Sequence, residues 1–156
     1  MKIYLVRHGD AVSEEVAGSD RDRWLNERGR QQARGLATLL QENKVEPDMI
    51  LSSPLPRAVQ TAERLADGLD YFGQIVTLRA LEPSAQPNVI AQQLKNHGRS
   101  VMVVGHEPNI SSLGALLLGL PAFQPFRTAQ CCAFEDGQPV FLARADLMLV
   151  TAMFRE

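Results

Sequence analysis

Apolar runs of strand length alternate along this chain with segments whose apolar residues recur at helical spacing. Ile3 to Val6, Met49 to Leu51, Ile75 to Leu78 and Val101 to Val104 are mainly apolar runs, the pattern of strands covered on both faces, and they predict a parallel core. Between the first two, Asn26 is placed to cap a helix in which Ala33, Leu36, Ala37 and Leu40 recur at i, i+3, i+4 and i+7, ending near Asn43. Ser53-Pro54 predicts the start of a second helix, a cap followed by proline, which runs through Ala58, Val59, Ala62, Leu65 and Ala66 to a stop at Gly68. Pro87 opens a shorter helix closed by Gly98, and Pro108 opens another that carries Leu113, Leu116 and Leu117 into the core. The pattern then changes. Ala129 to Glu135 and Val140 to Ala143 flank Asp136-Gly137, a two-residue hairpin signal. The expected fold is α/β: a three-layer α/β/α sandwich around a mostly parallel central sheet, with an antiparallel C-terminal hairpin. Ligands in such folds bind beyond the carboxyl ends of the strands.

At 156 residues, with no repeat and no linker rich in Pro, Gly or Ser, the chain reads as one domain over 1–156. A net charge of -2 argues against nucleic-acid binding, which needs a cationic stripe. The basic residues are nonetheless 13 arginines to three lysines, a bias toward forked recognition of phosphate or carboxylate. The most apolar stretch, Leu113 to Phe123, is broken by Gly114, Gly119 and Pro121 and is shorter than the ~20 residues of a spanning helix, so no membrane role is expected. The opening residues lack a signal-peptide pattern, which predicts a cytoplasmic protein. Cys131 and Cys132 are adjacent and would point to opposite faces of a strand, so buried thiols are expected rather than a disulfide.

The chemistry concentrates at predicted strand ends. The first strand runs into Arg7-His8-Gly9 and the fourth into Gly105-His106, so two of the three histidines reach the same sheet edge nearly a hundred residues apart in sequence. Arg57 falls in the first turn of its helix, where the helix dipole disfavours a cation unless an anion is bound. Singly, each has a plain structural role; together they form a phosphoryl-binding constellation. Phosphoryl transfer requires an in-line nucleophile and fixed positive charge around three oxygens, and an imidazole ringed by arginines supplies both. His97, in Asn96-His97-Gly98, reads as a helix-end residue.

Val6-Arg7-His8-Gly9-Asp10-Ala11 and Ser53-Pro54-Leu55-Pro56-Arg57-Ala58 resemble the motifs of the histidine phosphatase superfamily, and the compact layout resembles its SixA branch of phosphohistidine phosphatases. The resemblance covers the whole chain and implies that His8 is the nucleophile, that Arg7 and Arg57 bind phosphoryl oxygens and that His106 completes the pocket. It also points to Arg23 as a substrate-binding arginine, because Arg23-Trp24-Leu25-Asn26-Glu27-Arg28-Gly29 is similar to the branch pattern Arg-Pro-Leu-Thr-x-x-Gly, with Trp24 in place of proline. Arg23 has the alternative of pairing with acids in its own loop, Ser19-Asp20-Arg21-Asp22. No cofactor and no metal is expected, although a metal phosphoesterase using His8, Asp10, His106 and Glu107 is a second reading, opposed by the repulsion of Arg7 and Arg57. Glu82, after the third strand, is the candidate proton donor, with a solvated loop carboxylate as its alternative. The expected partner is a phosphohistidine-bearing protein of the phosphotransfer or phosphocarrier type, because the short connection from Leu78 to Pro87 leaves no length for a lid over a small ester. A small-molecule phosphomonoesterase and a non-catalytic phosphate-binding domain are the alternatives.

Overall fold

Alternation along β1 (Lys2–Arg7) shows how the layers form: Tyr4 and Val6 turn to one face of the sheet, Ile3 and Leu5 to the other. The computed structural model describes residues 1–153, so the last three residues of the expected 1–156 unit lie outside the described residues. The sheet runs β3 (Ile75–Thr77), β2 (Met49–Ser52), β4 (Ser100–Gly105), β1, β5 (Gln130–Glu135), β6 (Gln138–Arg144), β7 (Leu149–Ala152). The first four are parallel and the last three antiparallel; the sequence pattern predicts the parallel core and the β5–β6 hairpin. Asp136 and Gly137 both take positive φ, 49° and 75°, the backbone that a two-residue hairpin turn demands. Cys131 and Cys132 are free and buried, and they project into the opposite core layers.

One face is covered by α2 (Glu27–Glu42) and α3 (Pro56–Gly68), the other by α4 (Pro87–Gln93) and α5 (Asn109–Leu118). The Asn26 side chain accepts from Gly29 N and caps α2, whose Ala33, Leu36, Ala37 and Leu40 are buried. Burying a leucine such as Leu36, Leu40 or Leu65 stabilises the fold by about 1.5–3 kcal/mol. Three sequence expectations shift. The second helix begins at Pro56 behind Leu55 rather than at Ser53-Pro54, because the Ser53 hydroxyl is engaged with Leu55 N and with His106. Leu116 is exposed, since the buried stripe of α5 runs through Ile110, Leu113 and Gly114 with Leu117 partly covered. The C-terminal hairpin gains β7 as a third strand, and a short helix, α1 (Glu14–Ala17), capped by Ser13, lies in the segment after β1. Pro87 opens α4 as expected, and His97 follows the short 3-10 turn Leu94–Asn96 that ends it, with Gly98 at φ 130°.

Among the described residues no helix is long and apolar enough to cross a membrane.

Candidate active site

Strand register decides which chain ends meet. Arg7 stands opposite Gly105 and Ser52 opposite Val104, so the residues that follow, His8, His106 and Ser53, leave the sheet side by side at its carboxyl edge. His8 N donates to Gly105 O at 3.1 Å and Ser53 N to Val104 O at 3.0 Å, continuing the ladders just past the strands. From this edge β1 leads to α2 on one face while β4 leads to α5 on the other, and a crevice opens where the chain directions diverge. There lies a cavity of about 260 Å³ whose wall includes Arg7, His8, Arg23, Arg57 and His106, the five residues singled out from sequence. Asp10, Asp20, Glu107 and Thr128 also contribute.

Gly9 is a glycine for a steric reason. A Cβ there would stand 2.7 Å from the Gly29 carbonyl oxygen, so the turn after the nucleophile candidate fits against α2 only without a side chain. Gly9 N donates to the buried Thr61 hydroxyl at 3.0 Å, and Thr61 Oγ1 donates to Arg57 O at 2.8 Å. This chain of bonds ties the His8-Gly9 turn to the first turn of α3, which carries Arg57.

His8 is buried, and its Nδ1 lies 2.6 Å from Gly9 O. A carbonyl only accepts, so Nδ1 carries the proton and the lone pair is left on Nε2. Burial, with Arg57 and Arg7 nearby, pulls the His8 pKa down to about 4 against the raising effect of the Gly9 carbonyl. His106, ring centroid 5.1 Å from that of His8, is lowered to about 3 by burial first, then by His8 and Arg57. Both imidazoles are neutral near pH 7.

Among the described residues four buried side-chain nitrogens or oxygens lack a hydrogen-bond partner: Arg7 Nε, Arg57 Nε, His106 Nδ1 and Arg64 Nε. Three of the four belong to residues in the wall of this one cavity. Unpaired buried donors are costly, so their concentration here points to an anionic guest with several acceptor oxygens. Other guanidinium nitrogens of the two arginines are anchored. Arg7 Nη1 donates to Phe126 O at 2.9 Å, and Arg57 donates to Asp20 through Nη1 to the backbone oxygen at 2.7 Å and Nη2 to Oδ2 at 3.3 Å.

For Arg23 both sequence alternatives hold at once. It lines the cavity, yet its Nη1 also donates to Asp20 Oδ1 at 3.2 Å while Nε donates to Val12 O. Asp20 therefore sits between Arg23 and Arg57, and those partners, Arg23 foremost, hold its carboxyl below the usual range. An oxyanion bound to these arginines would compete with this carboxylate. Asp20→Asn should tighten binding of inorganic phosphate by roughly twofold to fivefold, the scale of an exposed ion pair, as measured by calorimetric titration. Unchanged or weaker binding would show that Asp20 organises the arginines rather than opposing the anion.

Glu82 is not brought to the cavity wall. Its carboxylate accepts from Arg21 Nη1 and Nη2 at 3.3 and 3.1 Å, and that contact keeps it acidic and ionised. Sequence reasoning also missed Thr61 and Thr128, and it read Ser53 as a helix cap. Thr61 had one signal available, a hydroxyl one helical turn beyond Arg57 on a buried stripe.

What the fold and the site define is a three-layer α/β protein with an arginine-lined pocket built around a neutral imidazole. Residues 3–82 match the sequence profile of the histidine phosphatase superfamily (branch 1). The phosphohistidine phosphatase SixA of Escherichia coli (strain K12) is 36% identical over 148 residues, covering 90% of this chain and 91% of the relative. A solved structure of the protein histidine phosphatase SixA complexed with tungstate superposes with a TM-score of 0.86 at 27% identity, over 96% of this chain and 100% of that one. A mycobacterial glucosyl-3-phosphoglycerate phosphatase shares the fold at 19% identity, with a TM-score of 0.66 over 86% of this chain and 92% of its own. The chain belongs to the histidine phosphatase superfamily, and its activity is that of a phosphatase.

Proposed function

We propose that the protein removes the phosphoryl group from phosphohistidine on a partner protein of the phosphotransfer or phosphocarrier type, without a metal, with residues 1–156 acting as one catalytic domain in the cytoplasm. In this reading His8 Nε2 attacks phosphorus, the P–N bond to the substrate imidazole breaks, and water then hydrolyses phospho-His8. Arg7, Arg57 and His106 hold the phosphoryl oxygens, and Arg23 reaches them once Asp20 yields.

The observation that carries the substrate class is the state of the carboxylates. Each one in or beside the cavity already accepts a hydrogen bond within the protein: Asp10 from Asn26, Asp20 from Arg23 and Arg57, Glu82 from Arg21, and Glu107 from Ser111. None of the four stands free of a partner and poised for a departing alkoxide, which needs a proton. A phosphohistidine whose other ring nitrogen is protonated leaves as neutral imidazole and needs none. The SixA relatives act as support for this choice. The loop after β3 agrees with it: Asn109 Nδ2 donates to the carbonyls of Glu82, Pro83 and Ala85 at 3.0–3.1 Å, which pins the loop at the rim of the cavity.

The test compares kcat/KM on a phosphohistidine protein with that on sugar phosphates, nucleotides and phosphoserine peptides. The phosphohistidine protein should be preferred by at least about a hundredfold, the scale of a missing general acid. Preference for a small ester would move the chain to the phosphomonoesterase reading, and phosphate binding without turnover would make it a binding domain.

Metal independence rests on the ligand set. Among the described residues no group of three or more His, Cys, Asp or Glu side chains is arranged to hold a metal ion, so His8, Asp10, His106 and Glu107 do not converge as one. Turnover should persist after exhaustive dialysis against EDTA. Loss of activity restored by Zn or Mn alone would install the metal mechanism instead.

A further inference from the structure

We propose that Ser53 is a positioning residue that fixes the tautomer of His106: its hydroxyl donates to Nε2, so the imidazole presents Nδ1–H to the phosphoryl group. The proposal deepens the phosphatase reading above and rests on it for the identity of the guest.

The geometry leaves one economical proton arrangement. Ser53 Oγ and His106 Nε2 are 2.7 Å apart, and both residues are buried. Ser53 Oγ also accepts the Leu55 amide at 3.2 Å. Pro54 between them has no N–H, so the hydroxyl turns to the next amide along, as in a local serine turn. The hydroxyl has a single proton, and among the described residues its only acceptor is His106 Nε2.

Consider the two neutral tautomers. With the proton on Nε2, the ring donates to Ser53 Oγ; the serine proton then has no acceptor, and the buried Nδ1 lone pair has no donor. Two buried polar groups are orphaned. With the proton on Nδ1, the serine hydroxyl is satisfied at both ends, and only Nδ1–H is left unpartnered. Each orphan carries a substantial desolvation cost, so the second tautomer wins. His106 shares its cavity wall with Arg7 and Arg57, each of which also has an unpaired Nε, and in this proposal phosphoryl oxygens supply the acceptor.

The neutral form also suits the surroundings. Arg7, Arg23 and Arg57 already line the cavity, and burial, with His8, Arg57 and Arg7 nearby, disfavours a further cation at His106. A neutral N–H adds a directional bond without adding charge. The fold places the pair through register alone: Ser52 opposite Val104 on β2 and β4 sets Ser53 beside the residue two beyond Val104, His106.

Long-range 1H–15N spectra of the imidazoles in the full-length protein at pH 7 read this directly, since His8, His97 and His106 are the whole histidine set. In wild type His106 should show a protonated Nδ1 and an acceptor Nε2. Ser53→Ala should shift it toward a tautomer mixture, and Ser53→Thr should restore the wild-type pattern. With inorganic phosphate as probe, Ser53→Ala should weaken binding by roughly threefold to tenfold, the worth of one hydrogen bond. A protonated Nε2 in wild type overturns the proposal, as does an unchanged tautomer in Ser53→Ala. If Ser53→Ala does not fold, the wild-type spectrum alone decides. Because the tautomer is read without turnover, failure here is distinct from failure of the phosphohistidine assignment, which the substrate comparison decides.

Discussion

His8→Ala should carry no phosphoenzyme and should turn over phosphohistidine protein at least about four orders of magnitude more slowly than wild type, the scale of losing a covalent nucleophile. In the proposed mechanism this side chain needs no rearrangement before attack. Gly9 O takes the Nδ1 proton, leaving the Nε2 lone pair, and burial beside arginines keeps the ring neutral, with a pKa of about 4. Rapid quench with 32P-labelled substrate measures both quantities. Arg57→Ala provides the graded companion. It should still form phosphoenzyme but slow transfer by roughly tenfold to a hundredfold, since a hydrogen bond from a charged donor is worth ~1.5–3 kcal/mol. Wild-type turnover in His8→Ala would end the covalent mechanism. A phosphoenzyme that survives His8→Ala would move the acceptor to another residue.

The second large effect is on stability, which should fall as pH drops below about 6.5. In the folded chain His8 and His106 stay neutral down to about pH 4 and 3, whereas in the unfolded chain they protonate near 6.5. Between these values the unfolded state binds more protons, so protonation favours unfolding. Their stabilising contribution is therefore complete above pH 6.5 and is lost progressively as pH falls toward the folded-state values. Each unit of difference corresponds to about 1.4 kcal/mol, and for two buried rings in contact the loss is on the order of several kcal/mol. Urea midpoints at pH 7 and pH 4.5 measure it, and His8→Gln should flatten the dependence. Equal midpoints at the two pH values in wild type would contradict the burial of neutral imidazoles. The same low values place the acid limb of kcat/KM well below that of a solvent-exposed histidine.

The sequence by itself determined the layers and the edge at which chemistry gathers. Strands β1, β2 and β4 are covered on both faces, so they read as unbroken apolar runs, and the polar residues that end them, Arg7-His8 and Gly105-His106, are marked by contrast. The hairpin was legible because Asp136-Gly137 satisfies a purely local backbone demand. β7 was not, since it lies mostly exposed and leaves no alternation to read. The start of α3 was misplaced because local cap logic assigns Ser53 to the helix, whereas its hydroxyl is claimed by His106, 53 residues away. Arg57 and Arg23 were visible as arginines; that both converge on Asp20 was not, and neither was the pairing of Glu82 with Arg21 across 61 residues. Only the tertiary structure decided which donors were left unpaired, because hydrogen-bond satisfaction is a property of everything a group touches. Periodicity and caps record what neighbours in sequence do for one another, and they carry no record of which distant carboxylate or hydroxyl has already taken the proton.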